Sequence, residues 1–142
     1  MQQITTGKVD IVSIQRVSSG SHWEAKVGYC RALRAGNQIF ISGTAPANDA
    51  GGTFAPGDAY AQTKRCFEII QTALQDLGAD LSDIVRTRLY ITDFVYWEEF
   101  ARAHQELFGE HPPVSCMVAV KGLINPDMLI EVEAEAMVSA PS

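Results

Sequence analysis

Long apolar runs, closely spaced cysteines and blocks of like charge are all missing from this chain of 142 residues. Its longest strongly apolar stretch, about Val114–Val120, is far shorter than the ~20 residues that cross a bilayer, and no membrane partner is expected. The N-terminal segment has no apolar core after a basic start, so we expect no secretory signal. Three scattered cysteines, Cys30, Cys66 and Cys116, suit neither a disulfide framework nor a zinc motif. They predict a reducing, cytoplasmic location.

Positive charge is scarce as well. Lysine and arginine together number 11 against 17 aspartates and glutamates, which gives a net charge of −6. An acidic domain repels a phosphate backbone, so no nucleic-acid partner is expected. The zincin, P-loop and dinucleotide-binding motifs are absent, so no metal or other cofactor is expected. The remaining composition, 46% hydrophobic and 20% charged, is typical of one globular domain, assigned to residues 1–142.

The first third of the chain is rich in strand signals. The apolar, β-branched segment Val9–Ile14 predicts a strand, and the polar segment Arg16–Lys26 predicts a loop. Two further runs, Tyr29–Arg34 and Gln38–Ser42, flank a Gly-Asn turn signal and predict a hairpin. The glycine- and proline-containing segment Gly43–Gly57 then predicts a long surface loop.

Two helices are predicted in the remainder. Asp58 is a helix cap, and apolar residues recur at three-four spacing up to Leu77, where Gly78 ends the helix. A second amphipathic helix is predicted from a cap at Thr92 or Asp93. This helix ends at Gly109. Strands are predicted at Ile84–Ile91, before the helix, and at Val114–Lys121 and Met128–Val138, after it.

The predicted order is β-β-β-α-β-α-β-β, which indicates an α+β fold. Two helices cover only one face of a six-stranded sheet. The other face still carries apolar side chains, and such a face is usually buried against another copy of the chain. The pattern therefore predicts an oligomer formed through the sheet.

Three glutamates, Glu131, Glu133 and Glu135, share one face of the last predicted strand. Such a row is typical of a solvated sheet face, because aligned carboxylates repel one another and favour water. The alternative is that one of them borders a pocket with a raised pKa and moves a proton. The residues alone leave both interpretations open.

Four other side chains are candidates for chemistry. Tyr29 and Arg31 lie two residues apart on a predicted strand, so they share a side, and together they could orient a carboxylate. An ordinary exposed arginine beside a half-buried tyrosine is the other interpretation. Cys116 lies in a predicted strand, where cysteine is usually a small buried hydrophobe. His104 lies on the apolar side of a predicted helix and is expected to be packed or hydrogen-bonded rather than a ligand.

Three segments carry a resemblance to a known family: NQIFISGT at 37–44, RTRLYITD at 86–93 and PPVSCMVAVKGLINPDMLIEVEAEA at 112–136. Together they resemble the Rid family, also called YjgF-like and once labelled endoribonuclease L-PSP or translation inhibitor. The resemblance covers about Gly28–Val138 and keeps the family's order and spacing. It implies a chorismate-mutase-like α+β fold, with a six-stranded mixed sheet, two helices on one face and a homotrimer formed through the sheet. It also implies clefts at the subunit interfaces.

The resemblance also implies an activity, because the best-known members hydrolyse reactive enamines and imines to 2-oxo acids and ammonia. An arginine holds the substrate carboxylate there, and a glutamate helps to position or activate water. In this sequence the family's pocket positions correspond to Tyr29, Ser42, Gly43, Cys116 and Glu131. Tyr29 and Glu131 would be catalytic, and the others would bind substrate.

The position of the family's arginine holds Val114 here. A valine cannot bind a carboxylate with two parallel hydrogen bonds. In this respect the chain is similar to divergent members of the family that lack the arginine. We hypothesise that Arg31 is the substitute cation, with Arg88 and Lys121 less favoured.

Three functions are compatible with these residues. In the first two, the protein binds a small molecule, which could be a carboxylate. The first is a cofactor-free deaminase-like hydrolase of enamines or imines. Val114 disfavours substrates that are derived from amino acids. The second is a non-catalytic trimeric protein that binds a small metabolite. The third is a ribonuclease or translation inhibitor, against which the acidic balance and the lack of a basic groove argue.

Overall fold

The computed structural model describes residues 13–139, which build one mixed sheet and three helices. The strands are β1 (Ile14–Val17), β2 (Ala32–Ala35), β3 (Gln38–Thr44), β4 (Ile84–Ile91), β5 (Val114–Ala119) and β6 (Ile130–Met137). The helices are α1 (His22–Val27), α2 (Ala59–Asp76) and α3 (Trp97–Phe108), with short 3₁₀ turns at Leu81–Asp83 and Phe94–Tyr96. The strand order is β1-β2-β3-β6-β4-β5, and only β4 and β5 run parallel among the pairs described. The α+β class and the six-stranded mixed sheet are therefore confirmed.

Local signals predicted α2 and the hairpin correctly. The Asp58 side chain accepts a hydrogen bond from the Ala61 amide at 2.9 Å, which satisfies one of the unpaired donors of the first helical turn. Gly78, just past the helix, has a φ of 83°, a conformation that glycine adopts without steric cost. Strands β2 and β3 pair in antiparallel fashion with Ala35 opposite Gln38, so a two-residue turn joins them.

Several predicted boundaries were wrong near helix starts and strand ends. The loop predicted over Arg16–Lys26 instead contains the end of β1 and the helix α1, which Ser21 caps through its side chain. Asp93 caps the 3₁₀ turn rather than α3, which begins only at Trp97. Strands β5 and β6 are each shorter than predicted, and residues 9–12 of the first predicted strand lie outside the described residues.

The core lies between the sheet and the helices α2 and α3. On β6, alternate residues face the helices and are buried, and α2 packs against β3 and β6. The largest fully buried apolar side chains are Ile39, Phe67, Ile70, Leu74, Leu89, Ile91, Phe100, Phe108, Ile130 and Val132. Each side chain of this size contributes about 1.5–3 kcal/mol on burial. Both larger helices therefore lie on the same face of the sheet, as predicted.

The opposite side of the sheet, here called the open face, is not covered by α2 or α3. It carries exposed apolar side chains at Phe40 on β3 and at Val114 and Val118 on β5. Arginines and glutamates from β4 and β6 lie between them. No helix in the described part of the chain is both long and apolar enough to cross a membrane.

Candidate functional site

A β-bulge brings the predicted residues Gly43 and Glu131 together. The pairing of β3 with β6 shifts register between Ile41 and Thr44, because three steps along β3 match only two along β6. The extra residue turns the backbone of Gly43 toward Glu131. A Cβ at Gly43 would lie only 2.6 Å from Glu131 Oε2, so the carboxylate rests directly on this glycine.

Arg31 is buried behind the bulge, in a network with Glu24. Its Nη1 donates to the Gly43 carbonyl at 2.6 Å and to Thr44 Oγ1 at 2.9 Å. Its Nε lies 3.3 Å from Glu24 Oε2, and the two side chains are only 6% and 4% exposed. Arg31 therefore holds the bulge in place, and its charge is balanced by a buried carboxylate.

Glu24 is the centre of that network. It accepts hydrogen bonds from Ser18 Oγ at 2.7 Å, from the Ser19 amide at 3.1 Å and from the Ser19 hydroxyl. Burial acts to raise the pKa of Glu24, but the hydrogen bonds from Ser19 and Ser18 and the charge of Arg31 outweigh it, so the pKa is lowered. Glu24 is therefore held as a carboxylate.

An open groove of about 600 Å³ lies beside this network on the open face. The predicted residues Tyr29 and Ser42 line it, together with Glu24, Phe40 and Arg16. Tyr29 also contacts Arg31, whose guanidinium carbon lies 5.5 Å from the centre of the phenol ring. Tyr29 and Arg31 are thus close together, as predicted, although both precede the first residue of β2.

Ser42 sits at the rim of the groove, but its polar groups are already engaged. Its amide donates to the Arg31 carbonyl at 3.0 Å, and its hydroxyl donates to the Cys30 carbonyl at 2.7 Å. Its carbonyl accepts from the Thr44 hydroxyl. These bonds shape the rim of the groove in the isolated protomer.

The three glutamates of β6 have different environments. Glu135 lies 3.1 Å from Arg86 Nε, and Arg88 lies within 3.6 Å of both Glu133 and Glu135. Glu133 also accepts a hydrogen bond from Tyr90. The solvated row that the sequence suggested is therefore a cross-strand ion-pair ladder for two of the three glutamates.

Glu131 differs from its two neighbours. Within residues 13–139 it makes no ion pair, and burial raises its pKa, opposed by the charge of Arg31 and reinforced by Glu133. A partly buried carboxylate with a raised pKa is a stronger base than an ordinary one. Glu131 thus has the raised pKa that the alternative interpretation required, and its position at a pocket stays a prediction.

Val114 and Cys116 lie apart from these residues. They belong to β5 at the far edge of the sheet, separated from β3 by β6 and β4. Val114 pairs with Arg86 and Cys116 pairs with Arg88, so both side chains are on the open face. A single protomer does not bring them to the groove.

The environments of two further candidates are clear. Cys116 is exposed, so the expectation of a small buried hydrophobe at this position was wrong for the protomer. His104 packs between Phe67 and Phe108 and lies 2.9 Å from Thr87 Oγ1 through Nε2, as expected for a packed and hydrogen-bonded histidine. Among residues 13–139, no three histidine, cysteine, aspartate or glutamate side chains converge to hold a metal ion.

Sequence reasoning missed Arg16 and Glu24 as groove residues. Arg16 was placed in a loop, whereas it pairs with Leu33 across β1 and β2 and so lies on the open face. Extending the strand period from Ile14 would have revealed that position. Glu24 carried no local signal, because its partner Arg31 follows seven residues later, beyond the helix.

Comparisons with known proteins agree with this architecture. The family model described as "Endoribonuclease L-PSP" matches residues 20–138. A RutC family protein from Pyrococcus abyssi is 37% identical over 108 residues, which cover 76% of this chain and 84% of that protein. The 3-aminoacrylate deaminase RutC of Acinetobacter baylyi is 32% identical over 110 residues, covering 78% and 86%.

A solved structure shows the same fold. The crystal structure of a YjgF family member from Mycobacterium tuberculosis superimposes with a TM-score of 0.80 at 43% sequence identity. The match covers 89% of this chain and all of the other. The sheet, the helices and their order are thus those of a known family.

Proposed function

The chain belongs to the endoribonuclease L-PSP family, also called the YjgF or Rid family, and we propose that it is a deaminase that hydrolyses a small enamine or imine. The observation that carries the proposal is Glu131, a carboxylate without an ion-pair partner in the described chain, which lies against Gly43, the residue that follows the groove residue Ser42. Support comes from the relative in Acinetobacter baylyi that bears the name 3-aminoacrylate deaminase.

In the proposed reaction, Glu131 accepts a proton from water while the water oxygen bonds to the carbon of the C=N group. The C=N electron pair moves to the nitrogen, which takes up a proton from solvent, and a carbinolamine forms. Glu131 then returns its proton to the departing nitrogen, the C–N bond breaks as the carbinolamine hydroxyl loses its proton to solvent, and a carbonyl compound and ammonia are released. Tyr29 orients the substrate from the wall of the groove. The raised pKa of Glu131 suits both the acceptance and the return of the proton.

We propose that the complete site is formed between copies of the chain in a homotrimer. Tyr29, Ser42 and Glu131 lie on one side of the open face, whereas Val114 and Cys116 lie on the opposite edge strand. A second copy packed on the open face could bring Val114 and Cys116 to the groove. The exposed Val118 on that face favours such packing. Light scattering should then give three times the 15.5 kDa chain mass.

A binding protein without turnover is the second candidate, and Val114 is the observation that favours it. It is 58% exposed and offers no charge to a carboxylate. Such a protein would need only the shape of the groove. Replacing Glu131 with glutamine would then leave ligand affinity intact.

The test is ammonia release from imines freshly generated by an amino-acid oxidase, with semicarbazide trapping as a reference for the free imine. Wild type should accelerate release, and Glu131→Gln should abolish the acceleration. Glu133→Gln is the matched control, because Glu133 lies on the same face of β6 but is engaged by Tyr90 and Arg88. Equal loss in both variants, or none in either, would refute Glu131 as the base.

A further inference from the structure

Arg16 is a cation at the groove whose role no motif explains. It is exposed on β1, and it lines the groove together with Tyr29 and Phe40. The sheet register places it in a row on the open face, with Leu33 opposite Arg16 and Phe40 opposite Leu33. A positive side chain therefore adjoins an apolar strip within the groove.

The other arginines of this region are already engaged. Arg31 binds Glu24, the Gly43 carbonyl and Thr44. Arg34 on β2 donates to the Gly36 and Leu77 carbonyls, and the ladder on β4 and β6 occupies Arg86 and Arg88. Arg16 makes no ion pair with any residue between 13 and 139, so its guanidinium donors are available to a ligand.

The acidic group of the same groove does not compete for Arg16. Glu24 accepts hydrogen bonds from Ser18 and Ser19 and pairs with Arg31, so its charge is balanced inside the protein. Within residues 13–139, the groove therefore presents the positive charge of Arg16 without a counter-charge, next to an apolar surface. This combination complements a carboxylate that bears an apolar substituent.

We propose that Arg16, rather than Arg31, binds the carboxylate of the ligand, and that the ligand's apolar substituent lies on Leu33 and Phe40. The proposal rests on the proposed function for the position of the groove, and it names the substrate class as small apolar carboxylates. It also accounts for a valine at position 114, because the carboxylate is held from β1 instead of β5. Arg31 then serves as a positioning residue for the bulge beneath Glu131.

The test compares benzoate with benzamide by isothermal titration calorimetry. The two probes share the apolar ring and differ in charge, so their affinity ratio isolates the carboxylate contact. Wild type should bind benzoate more tightly, and Arg16→Gln should weaken benzoate about tenfold, the size of one charge-assisted hydrogen bond. Affinity for benzamide should not change, and Arg16→Lys should recover part of the benzoate affinity.

Arg102→Gln is the matched control, since Arg102 is an exposed arginine on α3 outside this groove. It should leave both affinities unchanged. Unaltered benzoate binding in Arg16→Gln, or an equal loss for both probes, would overturn the assignment. If Arg16→Gln keeps benzoate while Glu131→Gln loses ammonia release, the assignment fails and the deaminase stands. If Arg16→Gln loses benzoate while no imine is turned over, Arg16 is the anchor and the deaminase fails.

Discussion

The carboxylate of Glu131 lies against the backbone of Gly43, where a side chain of even one carbon would approach Oε2 to 2.6 Å. The bulge in β3 creates this proximity, and the Arg31 guanidinium fixes it by binding the Gly43 carbonyl. One glycine thus determines where the candidate base points. A side chain at position 43 would therefore disturb the geometry of the site more than the stability of the fold, because the atom that it would contact, Glu131 Oε2, lies at the end of a flexible side chain.

Gly43→Ala should therefore reduce activity far more than stability. The new methyl group must displace the Glu131 carboxylate, and a displacement of about 1 Å can cost on the order of 100-fold in rate. Gly43 does not have a positive φ, so the backbone tolerates alanine. We expect kcat/KM for ammonia release to fall about 100-fold with a Tm change of a few degrees at most. Gly122→Ala, with no neighbour within 4 Å, is the control and should change neither quantity.

Glu24→Ala should destabilise the protein strongly. Removing the carboxylate leaves the Arg31 guanidinium buried without its counter-charge, which typically costs about 3–5 kcal/mol. Urea unfolding measures the loss. Glu68→Ala is the comparison, because Glu68 is 65% exposed in its pair with Arg65 and should cost less than about 1 kcal/mol. Similar losses in both variants would contradict the buried pair.

The buried pair of Glu24 and Arg31 also predicts that the stability of the protein decreases at acid pH. The pKa of Glu24 is lowered in the folded state from an ordinary value of 4.5. The unfolded chain therefore binds the proton more readily, so the stabilisation is present above pH 4.5 and is lost as the pH falls through the folded pKa. Urea midpoints measured from pH 6 downward should fall less steeply in Glu24→Gln than in wild type. Identical slopes in the two proteins would show that Glu24 does not contribute to the pH dependence of stability.

His104 should make stability depend on pH in a higher window. Burial lowers its pKa from 6.5, so the unfolded chain binds a proton that the folded chain resists. Stability should therefore decrease as the pH falls below 6.5 toward the folded pKa. His104→Gln should flatten that decrease, whereas replacing the exposed His111 in the same way should not. Thermal melts between pH 7 and pH 5 provide the measurement.

Val114→Arg should give the chain the cation that other members of the Rid family carry at this position. In a trimer that completes the cleft, a guanidinium there would add a charge-assisted hydrogen bond to the carboxylate beside that of Arg16, worth about 1.5–3 kcal/mol, or roughly 10- to 150-fold in transition-state binding. The readout is ammonia release from imines derived from amino acids. Val118→Arg is the control, because Val118 lies two residues along the same face of β5 and is 40% exposed. A gain in both variants would indicate general attraction of the anion rather than a placed contact.

Local chemistry was sufficient to predict most of the elements. Strand β4 has the predicted bounds because the β-branched run at 84–91 is bracketed by a cap and a turn. Helix α2 follows from its apolar spacing, its Asp58 cap and the glycine beyond its end. These signals depend on interactions within a few residues, which the sequence contains in full.

The helix α1 and the bulge in β3 were not predictable in this way. Helix α1 has only six residues, and the buried salt bridge from Glu24 to Arg31 helps to fix it. The bulge depends on how many residues of β6 oppose β3, and those strands are some 90 residues apart in the chain. Propensity carries no information about such a register.

For the candidate site, the sequence by itself determined the residue types: a glutamate row, a tyrosine, a glycine after an apolar strand, and a valine where the resembling family has arginine. Only the tertiary structure decided which of them act together. It set Glu131 apart by pairing its two neighbours with Arg86 and Arg88, and it turned Arg31 inward while leaving Arg16 at the groove. The physical reason is that charge and burial depend on neighbours across the sheet, which long-range strand pairing alone brings together.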